Sequence, residues 1–246
     1  MPIADHHPPS VSAGQPLTSC RNCALNRLCL PAHLQDAEID QLNAIVRRHH
    51  PLQKDDYLFR AGDPMQQVYA LRSGALKTYL LSKDGTELIT GFHLPGELIG
   101  LDALGTPRFP SYAIALETSQ LCTLPLDRLE ELAGRIPNLR KQLLSVLGRE
   151  IHDEQQHLGY TRTSADQRLA TFLLDLSVRF SRRGLSPVNF ILPMNRSEIG
   201  NYLGLTTETI SRLFTRYRQH GLIESYGREI QLLNLTQLCS LDAAQR

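Results

Sequence analysis

The alternation of apolar and polar positions along this 246-residue chain changes character several times. Between Ala37 and Arg48, the residues Ile39, Leu42, Ile45 and Val46 fall on one stripe at helical spacing, which predicts a short amphipathic helix. From Pro51 to Pro125 the apolar runs shorten. Gly62-Asp63-Pro64, Ser73-Gly74, Asp84-Gly85, Pro95-Gly96 and Gly105-Thr106-Pro107 interrupt them. Turn signals at such intervals predict a small antiparallel β-sandwich or barrel, because Gly and Pro supply the backbone angles of tight reversals. A long helical pattern begins near Pro137. Along it Leu144, Leu147, Ile151, Glu154 and Leu158 step by 3, 4, 3 and 4 residues, an a/d seam. A small barrel cannot cover a helix of that length, so the seam predicts a partner helix from a second copy.

The remaining third of the chain reads as short helices with explicit start and stop signals. Ser164-x-x-Gln167 is a capping box that restarts a helix to about Ser181, and Arg182-Arg183-Gly184 ends it. Asn195 caps a short helix from Ser197 to Leu203, and Gly204 breaks it. A second helix runs from about Thr206 to His220, with Gly221 suited to the left-handed position after it. Two helices joined by a short Gly-containing turn form the helix-turn-helix pattern. Leu222-Ile223 and Ile230-Leu232 flank Tyr226-Gly227, which predicts a hairpin wing with Arg228 near its tip.

The second helix of that pair divides its chemistry between two faces. Ile210, Leu213, Phe214 and Tyr217 share one face and are expected to pack inward. Glu208, Ser211, Arg212 and Thr215 share the other, which meets base edges when such a helix lies in a major groove. Arg212 can donate twice to guanine O6 and N7, Glu208 can accept from cytosine N4, and Ser211 is small enough to approach a base edge. Arg196, Arg216 and Arg218 are candidate phosphate contacts, which position without specifying. Any one of these residues alone is ordinary on a solvated helix. Two helices, a Gly turn, a polar face and a hairpin together predict binding to double-stranded DNA.

Charge supports that reading only weakly. The net charge is +1, but residues 164–246 carry ten Arg, no Lys and seven acids, a balance of +3. Arg is the cation whose planar fork matches phosphate and guanine edges. No apolar run approaches the roughly 20 residues that cross a bilayer, and no signal peptide opens the chain, so a soluble, cytoplasmic protein without membrane partners is expected. Residues 1–19 hold four Pro and little apolar content, and disorder is expected there.

Cysteine usage changes the picture most. Cys20, Cys23 and Cys29 form C-x₂-C-x₅-C, and only Cys122 and Cys239 complete the count of five. Three thiolates crowded on a short segment favour metal binding over disulfides in a reducing compartment. A four-coordinate centre wants a fourth ligand. Cys122, on an expected strand, and Cys239, beyond the wing, are both candidates. The residues alone choose neither between these two nor between zinc and iron–sulfur. The histidine pairs His6-His7 and His49-His50 are read as solvent-exposed. There is no Gly-rich nucleotide loop, catalytic triad or second cysteine cluster, so no enzyme is expected.

The stretch from Asn195 to Phe214, with Ile89–Leu94 and Ala115–Ser119, resembles the Crp–Fnr superfamily of transcription regulators. Glu208-x-x-Ser211-Arg212 resembles its FNR type, the fumarate and nitrate reduction regulators, and the likeness extends from Cys20 to about Leu235. The resemblance implies an α+β chain with an N-terminal β-roll (jelly-roll-like) sensor domain, a long dimerisation helix and a C-terminal winged helix-turn-helix. The expected boundaries are 1–19 disordered, 20–136 cysteine segment plus β-roll, 137–163 dimerisation helix and 164–246 DNA-binding domain. It implies a [4Fe-4S] cluster on Cys20, Cys23, Cys29 and Cys122, converted by oxygen to a [2Fe-2S] form and then lost, with DNA binding lost alongside. Cys239 has no counterpart in that pattern. Glu208, Ser211 and Arg212 are the implied readers of TTGAT-type inverted repeats.

Two further implications concern partners. An acidic residue matching Glu154 and an interface residue matching Ile151 support the dimer seam. Facing Glu154 carboxylates would repel, so a deliberately weak dimer is expected that binding of the centre must stabilise. Loops near Ser73, Gly85 and Thr118 are the implied contacts with RNA polymerase. Related β-rolls hold cyclic AMP with a Gly-Glu-Leu segment and an Arg-Ser pair. Here Gly96-Glu97-Leu98 is present, but the pair reads Pro110-Ser111 with Arg108 two residues early, so no cyclic nucleotide is expected. The rival expectations are a zinc- or thiol-based regulator on the same scaffold, and an iron–sulfur electron-transfer protein.

Overall fold

The computed structural model describes residues 19–48, 50–159 and 163–243. His6, His7 and nearly all of the segment expected to be disordered lie outside the described residues, as does His49. Helix α1 (Asp36–Ile45) leads into the short strands β1 (Arg47–Arg48) and β2 (Tyr57–Phe59). Strands β3 (Gln67–Ser73), β4 (Leu76–Leu81), β5 (Glu87–His93), β6 (Leu98–Ile99), β7 (Tyr112–Ala115) and β8 (Gln120–Pro125) follow. Next come helices α2 (Leu126–Arg135), α3 (Pro137–Gly159) and α4 (Ala165–Arg182). The chain ends with β9 (Asn189–Ile191), α5 (Arg196–Leu203), α6 (Thr207–Gln219), β10 (Ile223–Tyr226), β11 (Glu229–Leu232) and α7 (Leu235–Ala243). Among the described residues no helix is long and apolar enough to cross a membrane.

The expected sandwich is present as two four-stranded antiparallel sheets, in the orders β1-β8-β3-β6 and β2-β7-β4-β5. Val68, Leu71, Leu76, Ile99, Phe109, Ala113 and Leu124 fill the space between them. The first helix is shorter than expected. It stops at Ile45 because Val46 turns extended, and Arg47–Arg48 become an edge strand paired with Thr123 and Cys122. No element is expected between Pro125 and Pro137, yet α2 forms there. Leu129, Leu132 and Ala133 bury one side of that helix against the sandwich.

Helix α3 begins where expected and splits the seam. Leu139 is buried, and Leu143, Val146 and Leu147 pack against the sandwich core. Leu144, Ile151 and Leu158, seven residues apart, are 63, 60 and 70% exposed. Leu147 therefore faces its own chain, and the outward seam is Leu144, Ile151, Glu154 and Leu158. A stripe of large apolar side chains at heptad spacing is the surface a second helix covers.

The C-terminal unit keeps the expected capping box, with Ser164 Oγ accepting the Gln167 amide at 3.3 Å and Gln167 Oε1 accepting the Ser164 amide at 2.9 Å. The wing is larger than a hairpin: β9 adds to β10 and β11 in the order β10-β11-β9. Helix α7, also unexpected, packs on α4 through Leu238. The C-terminal unit shares a continuous core with the sandwich, in which Tyr79, Ile89, Phe92 and Leu94 meet Phe172 and Tyr202.

Candidate cysteine centre and nucleic-acid interface

The cysteine segment is a coil of tight turns tied to α1 and α3. Arg21 pairs with Asp36 at 2.8 Å and Asp40 at 2.7 Å, the Cys20 amide donates to Asn43 Oδ1 at 3.0 Å, and Gln142 Nε2 donates to the Cys29 carbonyl at 3.4 Å. Leu30, fully buried, pins the segment to the core. This places Cys20, Cys23 and Cys29 over strand β8, where Cys122 lies opposite Arg48 and Ala70. All four cysteines line one cavity of about 40 Å³, with Leu25, Pro31, Leu42, Val46 and Leu124 around them and Arg48 and Arg72 at its wall.

This pocket holds Cys20, Cys29 and Cys122 against ionisation. Burial, and then the charge of neighbouring thiols, pushes Cys20 up to about 11 and Cys29 up to about 12. Cys122 is also raised, chiefly by burial, while Arg72 and Arg48 pull the other way. A thiolate is the ligand form, so metal binding must displace these protons. Four soft donors, an apolar wall and two adjacent cations are a chemical fit for a cluster that carries net negative charge with its thiolates. Among the described residues no three Cys, His, Asp or Glu side chains are arranged to hold a single metal ion. Cys239 is exposed on α7, apart from the four. Arg48 and Arg72 gave no sequence signal. Arg48 reaches the cavity from β1, opposite Cys122, and Arg72 from β3, on the other side of β8 at a shift in register.

Helix α6 presents the two faces its sequence predicts. Thr206 caps it, accepting the Thr209 amide at 3.1 Å. Ile210, Leu213, Phe214 and Tyr217 are buried, whereas Glu208, Ser211, Arg212 and Thr215 are exposed. Arg212 and Glu208 pair at 2.5 Å with side chains 79 and 72% exposed, so each arrives at a ligand already oriented by the other. Ser211 and Thr215 turn their hydroxyls onto backbone carbonyls one turn back, at 2.9 and 3.0 Å.

The three candidate phosphate contacts differ in their surroundings. Arg218 is exposed at the end of α6 beside the wing groove. Arg216 pairs with Asp166, whose carbonyl also accepts the Tyr217 hydroxyl at 2.7 Å. Arg196 is half-buried: its guanidinium sits 3.2 Å over the Phe214 ring and donates to Ser225 Oγ at 2.8 Å. Burial lowers it to about 10. Arg216 and Arg196 thus brace α6 against α4 and the wing. Arg228 lies near the wing tip as expected, but folds back to donate to the Pro193 carbonyl at 3.0 Å.

Comparison with known proteins follows this geometry. Residues 167–241 match the model of the Crp-like helix-turn-helix domain, and residues 49–135 match that of the cyclic nucleotide-binding domain. The chain is 49% identical over 231 residues to the transcriptional activator protein Anr of Pseudomonas aeruginosa, covering 94% of this chain and 95% of that one. It is 44% identical to the fumarate nitrate reduction regulatory protein of Klebsiella oxytoca, covering 96 and 95%. This chain belongs to the Crp–Fnr superfamily, FNR type. FixK2 from Bradyrhizobium japonicum superposes with a TM-score of 0.74 at 31% identity, covering 82% of this chain and all of that one.

As an FNR-type protein the chain is a transcription regulator and not an enzyme. Within the stretch matching the cyclic nucleotide-binding domain, the polar side chains of Glu97, Ser111 and Arg108 have intramolecular partners. Glu97 accepts from Arg179 at 2.7 Å and from Arg183 at 2.5 Å, both on the C-terminal unit. Ser111, buried, donates to Asp102 at 2.6 Å, and Arg108 donates to the Gly62 carbonyl at 2.5 Å. The three loop positions of the FNR-type likeness fall into two groups. Ser73 and Thr118 lie together, since a Cβ added to Gly74 would meet the Thr118 carbonyl at 2.6 Å. Gly85 occupies the separate β4–β5 turn with φ 82°.

Proposed function

We propose that this chain is an oxygen-responsive, homodimeric regulator of anaerobic genes. A [4Fe-4S] cluster on Cys20, Cys23, Cys29 and Cys122 would promote dimerisation and binding to TTGAT-type inverted repeats. The observation that carries the proposal is the meeting of three cysteines of the N-terminal segment and one of strand β8 on a single cavity. Held by Cys20, Cys23, Cys29 and Cys122, a cluster would supply an oxygen-labile link between the N-terminal segment and the β-roll. The protein's own residues do the rest. Arg21 and Gln142 hold the segment against α1 and α3, so a bond to the segment bears on the helix that carries the outward seam. The engagement of Glu97 by Arg179 and Arg183 speaks against a cyclic nucleotide in the β-roll. Ser73, Gly85 and Thr118 are the loops offered to RNA polymerase, and the fold operates in the cytoplasm.

Reading is assigned to Glu208, Ser211 and Arg212, with Arg218 as the phosphate contact that the geometry favours most and Arg196 and Arg216 nearer to bracing roles. Purification without oxygen tests the whole proposal. Broad visible absorbance that bleaches in air, together with loss of operator binding, is expected. A colourless protein holding zinc would sink it, and redox cycling without operator affinity would point to an electron carrier.

Glu154 acts as the brake on association. Partial burial and then the nearby Asp102 and Asp153 push its carboxyl up already in one chain. Two such carboxylates facing across the seam add repulsion, relieved by protonation as pH falls. Glu154→Ala is expected to tighten association of the cluster-free protein by about tenfold or more, read by sedimentation. A variant as monomeric as its parent would remove this role.

A further inference from the structure

One charged cluster between the β-roll and the C-terminal unit does more than fill space. Glu97 lies on the β5–β6 turn and accepts the Leu94 amide at 3.0 Å. Arg179, near the end of α4, donates to it through Nε at 3.1 Å and Nη2 at 2.7 Å, and also to the Phe92 carbonyl. Arg183 donates to it at 2.5 Å and to the Pro95 carbonyl at 2.7 Å. One carboxylate, the Phe92 carbonyl at the end of β5 and the Pro95 carbonyl on the turn therefore receive the end of α4. Burial would raise the Glu97 carboxyl, but Arg179 and Arg183 outweigh burial and hold it down at about 2.

The same turn is the floor of the cysteine segment. Gly96 has φ 95°, and a Cβ added there would lie 2.9 Å from Leu28 Cβ and 3.9 Å from Leu25 Cβ. Leu25 and Leu28 belong to the loop between Cys23 and Cys29. A second contact fastens the helix-turn-helix itself. Asn201 on α5 accepts the Ile89 amide and donates to the Glu87 carbonyl, both at 2.8 Å, on the free edge of β5. Lys77 bridges Glu87 at 3.2 Å and Glu198 at 3.1 Å beside it.

We infer that Glu97 is a positioning residue for DNA binding: through Arg179 and Arg183 it fixes the DNA-binding unit against the turn on which the cysteine loop rests. Two facing reading helices must meet two half-sites at a fixed spacing. A unit held in one orientation retains a high effective concentration for the second half-site, and a loosened one loses it. Hydrophobic contact alone leaves orientation loosely specified, whereas a carboxylate shared by two guanidiniums sets it by geometry. Removing that carboxylate leaves Arg183 facing carbonyls and Arg179 with Asp175 at 3.4 Å as its remaining acid, which loosens the whole contact. The link to the cysteine loop rests on the cluster reading, but the latch does not.

The test compares the full chain, purified without oxygen, with Glu97→Gln and Asn201→Ala. Amide hydrogen exchange, sedimentation, operator affinity and visible absorbance are recorded on the same samples. Glu97→Gln is expected to leave dimer mass unchanged and to weaken operator binding by about tenfold. It should accelerate exchange not only at Leu94, its direct partner, but also at Ile89, which Asn201 holds. Asn201→Ala, which leaves every buried charge paired, is expected to accelerate the Leu94 amide in return. If each variant frees only its own amide and operator affinity stays within about twofold of the parent, there is no latch. The absorbance reports the cysteine reading separately. A colourless parent with the cooperative exchange response still supports the latch.

Discussion

Cys122→Ala is expected to fold normally and to lose the proposed [4Fe-4S] centre. Cys122 is half-buried on strand β8, between Arg48 and Ala70 on the neighbouring strands. Removing one sulfur there costs about 1 kcal/mol in stability, within the ordinary range for a small truncation. It would also remove the one ligand that the proposed centre takes from the β-roll. The three remaining thiols then sit on one short segment, which no bond ties to β8. Affinity for the centre is expected to fall more than about 100-fold, since even partners behind a ligand contribute 10–100-fold. Visible absorbance of the anaerobic protein should drop to background, and operator binding should go with it. Cys239→Ala is the control: exposed on α7, it should change neither. Equal loss in both variants, or a coloured Cys122→Ala protein, would remove Cys122 from the ligand set.

The second large effect belongs to Arg212→Ala. A bidentate contact to guanine contributes about 1–3 kcal/mol of discrimination. A dimer makes the contact twice, so operator affinity should fall by roughly 30-fold to 10⁴-fold. The loss should be confined to sites carrying that guanine, with the salt dependence of binding nearly unchanged. Arg218→Ala should behave oppositely, weakening binding to every sequence and reducing the salt slope by about 1 for each phosphate it no longer neutralises. Glu208 and Arg212 are paired in the free protein, so Glu208→Ala releases Arg212 as well as removing a reader. An Arg212→Ala protein that weakens on all sequences alike would make Arg212 a backbone contact.

Local signals carried most of the fold. Ser164 and Gln167, Asn195 with Gly204, and Thr206 with Gly221 each mark a helix end through capping or a left-handed backbone, and each stands where the chain alone places it. What stayed hidden depends on tertiary partners. Arg47–Arg48 continue the polar texture of a helix end and become strand only because β8 supplies a partner. The three-residue β9 carries no pattern of its own and exists by pairing with β11. Leu147 fits the seam by spacing, yet the sandwich core draws it inward.

At the site, the spacing of Cys20, Cys23 and Cys29 is a metal-binding pattern, and residue chemistry leaves Cys122 and Cys239 equal as a fourth member. The register of β8 beneath the cysteine segment separates them. Arg196 and Arg216 read as phosphate contacts from their charge, but an aromatic ring and an acid already occupy their guanidiniums. Glu97 is the reverse case. Its Gly-Glu-Leu segment resembles those of cyclic-AMP sites, but the missing Arg-Ser pair makes it part of the fold rather than a ligand, and two arginines more than eighty residues away give it an intramolecular role.

The most direct test is native mass spectrometry of the protein prepared and sprayed without oxygen. The prediction is a dimer carrying one [4Fe-4S] cluster per chain, falling to cluster-free monomer on exposure to air. A zinc-bound or metal-free dimer, or a cluster-bearing species that persists as a dimer in air, would contradict it.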